Sequence, residues 1–233
     1  MTRRADGPAM PDAREWLLVI DMQHAFADPA GVWGTPGFAA ILPAVRRLIA
    51  HYAGRVILTR YVPPAPPTGA WIAYFRRFPT MLLPAHDPAW ALVPGLPGGA
   101  PVETRTTLGK WDAAMARRID PDASIALCGA TTECCVLATA LRAADDGVAV
   151  RVIADACAGA TPALHEQALA ILAAAAPLIT IAATDAVCGT DAVCETGAVC
   201  ETGAVCETGA VCKTDTVCET DTVCGTSATA TRA

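Results

Sequence analysis

The sequence predicts a three-layer α/β domain: a six-stranded, mostly parallel sheet with helices on both faces. Three observations carry this. Six short apolar runs of strand length alternate with longer segments of helical character, and such alternation implies a parallel sheet covered on both sides. The stretch ASIALCGATTECCVLATALRAADDGVAVRVIADACAGA, residues 123–160, reads as strand, glycine turn, helix and strand, the unit that joins neighbouring parallel strands. The length of 233 residues suits one such domain with something added.

In chain order, residues 15–21 (EWLLVID) form an apolar run ending in a carboxylate, as a central parallel strand would. A loop follows, then a helix over 38–52 (FAAILPAVRRLIAHY), closed by Gly54, and a second buried strand over 55–60 (RVILTR). Residues 61–99 are rich in proline and tryptophan and read as a long irregular region. A connection of that length inside a domain is functional or disordered, and its aromatics (Trp71, Tyr74, Phe75, Phe78, Trp90) argue for a packed lid or pocket wall. A third strand spans 101–106, and a turn carrying Lys110 leads to a short helix over 113–119. In the central unit a buried strand over 124–127 meets a tight turn at Gly129, a helix opens near Thr132, and the next strand covers 148–153. A helix over 162–175 and a last strand over 178–182 complete the six.

Charge and composition narrow the function. A net charge of −6 argues against a nucleic-acid surface. No apolar run follows the arginines of MTRRADGPAMPDAREW, so a signal peptide is not expected, and the most apolar window, 168–183, is too short to span a bilayer. The expectation is a soluble, cytoplasmic protein without membrane or nucleic-acid partners. Eleven cysteines fall into two groups: Cys128, Cys134, Cys135 and Cys157 in the core-patterned region, and seven that recur every six residues near the C-terminus. Without an export signal a reduced state is the default.

That C-terminal stretch, residues 185–226, is seven copies of one hexapeptide, DAVCGT through DTVCGT. Composition favours a disordered low-complexity extension. A period-six β-solenoid would have little more than two coils, and Cys-x5-Cys is not the Cys-x2-Cys spacing of zinc sites. The expected organisation is a flexible N-terminus over 1–14, a domain over 15–184, the repeat tail over 185–226 and an end segment over 227–233.

Cys134 and Cys135 fall in the first turn of the central helix, where unpaired N–H groups and the helix dipole favour a thiolate. LLVIDMQHAF, TTLGKWDAAM and CGATTECCVLATAL occur in that order on the six-strand pattern. Together they resemble the isochorismatase-like cysteine hydrolase superfamily, which includes nicotinamidases and N-carbamoylsarcosine amidohydrolases. The resemblance covers about 15–184 and implies a Rossmann-like fold and hydrolysis of the C–N bond of a small amide or carbamoyl compound. It places a catalytic triad on Asp21, Lys110 and Cys135, with Cys135 preferred over Cys134 because Val136 follows it. Asp21 would be the general base, Lys110 would lower the thiol pKa and hold the carboxylate, and Cys135 would form a thioester. A cis peptide at Ala130–Thr131 is also implied, with the N–H groups of Thr131 and Cys135 forming an oxyanion hole.

The chain departs from nicotinamidases after the second strand, where TRYVPPAPP lacks their metal-binding Asp-x-His. His24, His51, His86 and His165 do not supply that site either, so no catalytic metal and no cofactor are expected. Met115 stands where many relatives carry an aromatic residue. Relatives that hydrolyse a vinyl ether do so without the cysteine, so Cys135 favours amide chemistry. The pocket is expected between the first and fourth strands, where the strand order reverses. Candidate wall residues are Phe26, Trp33, Trp71 and Trp111, and Arg60 is a candidate partner for a substrate carboxylate or a structural ion pair. A homo-oligomer is expected by resemblance.

Overall fold

The computed structural model describes residues 14–189. The chain divides into two units, residues 1–189 and 190–233. The expectations for residues 1–13, for the repeats beyond residue 189 and for residues 227–233 lie outside the described residues.

Six strands form one sheet: β1 (Trp16–Ile20), β2 (Val56–Tyr61), β3 (Val102–Arg105), β4 (Ile125–Ala130), β5 (Val150–Ala158) and β6 (Ile179–Ala182). Their order is β3-β2-β1-β4-β5-β6, and every pair is parallel. β1 and β4 lie at the centre, and β4 is buried along its whole length, which explains their continuous apolar sequences. The helices are α1 (His24–Ala27), α2 (Phe38–His51), α3 (Ala70–Arg77), α4 (Ala113–Ala116), α5 (Leu137–Asp145), α6 (Pro162–Ala173) and α7 (Thr184–Cys188). α2 and α7 pack against β5 and each other, while α5 and α6 pack against β5 and β6. No helix among the described residues is long and apolar enough to cross a membrane.

Three local details differ from the sequence reading. Gly129 lies inside β4 rather than in a turn after it, with φ +113° and a register irregularity between Leu127 and Gly129. It pairs with Ile20, and a Cβ at Gly129 would lie 2.1 Å from the Ile20 carbonyl oxygen. Only glycine lets the two central strands approach here. The 61–99 region is less irregular than expected, since it holds α3 and two short 3₁₀ turns, Pro79–Met81 and Pro88–Trp90. Finally, the first hexapeptide continues the folded unit. α7 begins at Thr184, whose N–H and hydroxyl donate to Asp155, and it buries Val187. Arg47 pairs with Asp185 at 2.5 Å and donates to the Gly189 carbonyl.

Candidate active site

β1 and β4 adjoin at the point where the strand order reverses, the position at which open parallel sheets leave a crevice beyond their carboxyl ends. Asp21 is the first residue after β1 and has φ 45°, a left-handed conformation that costs a non-glycine residue about 1–3 kcal/mol. Thr59 on β2 anchors it. The Asp21 N–H donates to the Thr59 hydroxyl at 3.1 Å, and that hydroxyl donates to Asp21 Oδ1 at 2.7 Å. Asp21 Oδ2 faces Lys110 Nζ at 3.0 Å, and both side chains are fully buried. Oδ2 accepts no hydrogen bond among the described residues, so it is the carboxylate oxygen left with a lone pair for a proton. Lys110 Nζ also donates to the Thr107 carbonyl at 2.7 Å and lies 5.0 Å from the centre of the Tyr61 ring. An ion pair this dry persists only because both charges have further polar partners.

The two cysteines sit in a wide, π-helical turn, Thr132–Val136, that precedes α5. A cis peptide joins Ala130 and Thr131. The Cys134 and Val136 N–H groups both donate to the Thr131 carbonyl, at 3.2 and 3.1 Å. Thr139 then ties this turn to the lysine. Its hydroxyl donates to the Cys135 carbonyl at 2.6 Å and accepts the Lys110 N–H at 2.9 Å. Asp21, Lys110 and Cys135 are thereby gathered from three separate parts of the chain.

The thiols do not behave as a helix N-terminus alone would suggest. Contact with Cys135 draws the Cys134 thiol below its ordinary range, while contact with Cys134 and then burial push Cys135 well above it. Both shifts express one interaction: the pair loses its first proton readily and its second with difficulty. Lys110 favours the thiolate at both positions, but at Cys135 burial and the neighbouring sulfur outweigh it. Cys135 at rest is therefore a buried thiol that needs a base.

A cavity of about 470 Å³ opens over the two sulfurs. Phe26 and Trp33 from the loop after β1 line it, with Tyr61, Tyr74 and Phe78. Trp33 is the hub of this wall, stacked on Phe26 at 6.1 Å and in ring contact with Tyr61, Tyr74, Phe75, Phe78 and Trp90. Gln23, fully buried, holds the wall in place: its amide donates to the Tyr61 and Trp90 carbonyls at 2.9 and 2.8 Å and accepts the Tyr61 N–H at 2.8 Å. A second hollow of about 530 Å³ near His24 and Asp28 includes neither cysteine.

Two residues expected on the wall, Trp71 and Trp111, lie elsewhere, as does Arg60, the candidate for a substrate carboxylate or a structural ion pair. Trp71 packs behind the wall, against Tyr61, Tyr74 and Phe75. Trp111 is buried, with its indole N–H on Asp146 at 3.0 Å. Arg60 donates to the Thr104 hydroxyl at 3.2 Å, while Arg77 is the arginine that lines the cavity. Tyr74 and Phe78, from the aromatic set expected to form a lid or pocket wall, do line the cavity, whereas Tyr61 and Arg77 were not singled out from sequence. Thr59 and Thr139 carry no recognisable motif, although Thr139 lies one helical turn beyond Cys135.

The metal of nicotinamidase-type sites finds no matching donor set here. Among the described residues, no three His, Cys, Asp or Glu side chains are grouped to hold an ion, and Tyr61 and Val62 follow Arg60 where the Asp-x-His would stand.

Comparison with known proteins agrees with this architecture. The isochorismatase domain family matches residues 15–183. A pyrazinamidase of Pyrococcus horikoshii, solved in complex with zinc, is 25% identical, with a TM-score of 0.60 over 73% of this chain and 99% of that one. A cysteine hydrolase from Pseudomonas syringae pv. phaseolicola is 21% identical, with a TM-score of 0.64 over 79% of this chain and 95% of that one. A MAR1 ribonuclease from Caenorhabditis elegans, 20% identical, has a TM-score of 0.53 over 78% of this chain and 80% of that one. A comparison with curated proteins finds no match. The shared fold spans proteins named for different substrates, so the substrate must be argued from the site.

Proposed function

The chain belongs to the isochorismatase domain family, and from that premise we propose that it is a cysteine hydrolase that cleaves the C–N bond of a small amide or carbamoyl substrate through a thioester. The observation that carries this reading is the buried Asp21–Lys110 ion pair beside a buried thiol at the foot of a cavity of about 470 Å³. Asp21 Oδ2 takes the Cys135 proton as sulfur attacks the carbonyl carbon. The negative oxygen that develops is held by the N–H groups of Thr131 and Cys135, and loss of one such donor typically costs about 3 kcal/mol of transition-state stabilisation. The proton on Asp21 passes to the leaving amine as the C–N bond breaks. Water then attacks the thioester, giving its proton to Asp21, and the acid leaves as the thiol is restored.

Lys110 keeps Asp21 in position and offsets its charge while the carboxylate is unprotonated. Because Cys135 is held as a thiol at rest, the base is required rather than accessory. No step calls for a metal, and the donors grouped here do not offer one a site. The resemblance extends the proposal to a cytoplasmic homo-oligomer without nucleic-acid partners.

A second assignment is favoured by one observation: Cys134 is the more exposed sulfur and the one whose pKa falls. Ammonia release from a panel of small amides, ureides and carbamoyl compounds separates the two. The proposal expects turnover to vanish in Cys135→Ala and to persist in Cys134→Ala. The reverse pattern transfers the nucleophile to Cys134, and no turnover from any compound contradicts amide hydrolysis.

A further inference from the structure

Two aromatic residues of the cavity wall carry polar atoms without a partner, and a third wall residue carries a cation. The Tyr61 hydroxyl and the Trp33 indole nitrogen are both buried without a hydrogen-bond partner among the described residues. Such groups normally find partners, and leaving one unsatisfied costs about 1–3 kcal/mol. Arg77, at the end of α3, adds a guanidinium to the same wall. It has no ion-pair partner among the described residues and lies 5.4 Å from the Phe78 ring centre, which supports its stem without neutralising it. Arg77 also acts on Tyr74: burial pushes that phenol up, and the arginine charge pulls against it.

The other charged side chain lining the cavity is Glu133. It accepts the Ala160 N–H at 3.1 Å through one oxygen, and its second oxygen, without a hydrogen-bond partner among the described residues, is buried against Gly159, where a Cβ would lie 2.8 Å away. Lys110 is neutralised by Asp21. What remains for a ligand is the Arg77 guanidinium, which no carboxylate among the described residues pairs, in a protein whose net charge is −6. A neutral ligand would leave that cation without a counter-charge. A ligand carrying an anionic acceptor would supply one.

We propose that Arg77 binds a carboxylate of the substrate, at the end remote from the scissile carbonyl, so that the preferred substrates are small amides that also carry a free carboxylate. This rests on the hydrolase reading for the amide but not for the anion site, and the test keeps the two apart. In the full-length protein, alkylation of Cys135 is followed by peptide mass spectrometry with iodoacetate, an anion, and with iodoacetamide, its neutral counterpart. In both reagents the same sulfur forms a C–S bond as the C–I bond breaks and iodide departs into solvent, so the ratio of their rate constants reports the field in the cavity.

Arg77→Gln is expected to lower the iodoacetate-to-iodoacetamide ratio about fivefold or more. Arg77→Lys should retain most of it, and Arg76→Gln, an equally exposed neighbour that does not line the cavity, should leave it unchanged. In the amide panel, Arg77→Gln should raise KM for a carboxylate-bearing member about tenfold or more while its uncharged methyl ester is unaffected. An unchanged ratio in Arg77→Gln, or an equal fall in Arg76→Gln, overturns the anion site even where turnover is intact. A lowered ratio without ammonia release from any compound upholds the anion site and sinks the hydrolase reading. A Cys135 that reacts with neither reagent overturns both.

Discussion

The floor of the cavity and its wall are built on opposite principles. On the floor nearly every polar group is paired: Asp21 with Thr59 and Lys110, Lys110 also with Thr107, and Thr139 between Lys110 and Cys135. On the wall, Tyr61 and Trp33 have buried polar atoms with no hydrogen-bond partner among the described residues, and Arg77 has no ion-pair partner among them. A floor of that kind fixes its side chains before any ligand arrives, as the proposed reaction requires. On the anion-site proposal, the wall is completed by a ligand. Substitutions on the floor should therefore harm the empty protein, and those on the wall should harm only the complex.

The largest effect should come from Gly129→Ala beneath the floor. Its Cβ meets the Ile20 carbonyl and its φ disfavours any side chain, so we expect a loss of about 3 kcal/mol or more in denaturant unfolding. A near-native midpoint would mean that β1 and β4 separate easily, and the floor would not be rigid. Next comes the thiol pair behind it. Burial pushes Cys157 up to about 12, from 9.0 for a free thiol, and raises Cys128 beside it. The folded state holds the Cys157 proton more tightly than the unfolded chain, so that contribution is fully present below pH 9 and is lost as pH rises through about 12. Stability should fall by about 1.4 kcal/mol per pH unit across that window from this thiol alone. In Cys157→Ala the pH dependence should flatten by that amount, and an unaltered slope would refute a dry core there.

Thr139→Val should cost about 1–2 kcal/mol, because it leaves the Lys110 N–H and Cys135 carbonyl without their shared hydroxyl. Activity should fall about tenfold in kcat/KM, Thr139→Ser should restore it, and the pH dependence of Cys135 alkylation should shift in the valine variant alone. Equal alkylation profiles would make Thr139 a packing residue only. Tyr61→Phe should do least to the fold. It deletes a buried hydroxyl that has no hydrogen-bond partner among the described residues, so the thermal midpoint should hold or rise slightly while KM increases a few-fold. A clear drop in the midpoint would show that the hydroxyl is satisfied in the empty protein, and the contrast between floor and wall would fail.

The same contrast governs what was legible in the chain. The floor is made by strand ends, and strands announce themselves as apolar runs: LLVID, IALCGA and VRVIADACA fix where Asp21 and the cysteine turn must lie. Gly129 was visible as a special position, although its role is close packing within β4 rather than a turn. The wall was harder because it is assembled from a proline-rich connection whose periodic stretch is only eight residues long, α3. Tryptophans look alike in such a stretch. Trp33 became the hub, Trp71 packs behind the wall, and Trp111 turned to Asp146. The opposed thiol shifts of Cys134 and Cys135 were also beyond reach, since they depend on two sulfurs meeting in a π-helical turn.

The central claim is that Cys135 carries the acyl group, and it is tested most directly by trapping that group. Protein quenched in acid during turnover of a hydrolysed amide should gain the mass of the acyl moiety. The added mass should be labile to hydroxylamine, present in Cys134→Ala and absent from Cys135→Ala. An adduct that survives in Cys135→Ala, or turnover by that variant at the parent rate, would contradict the account.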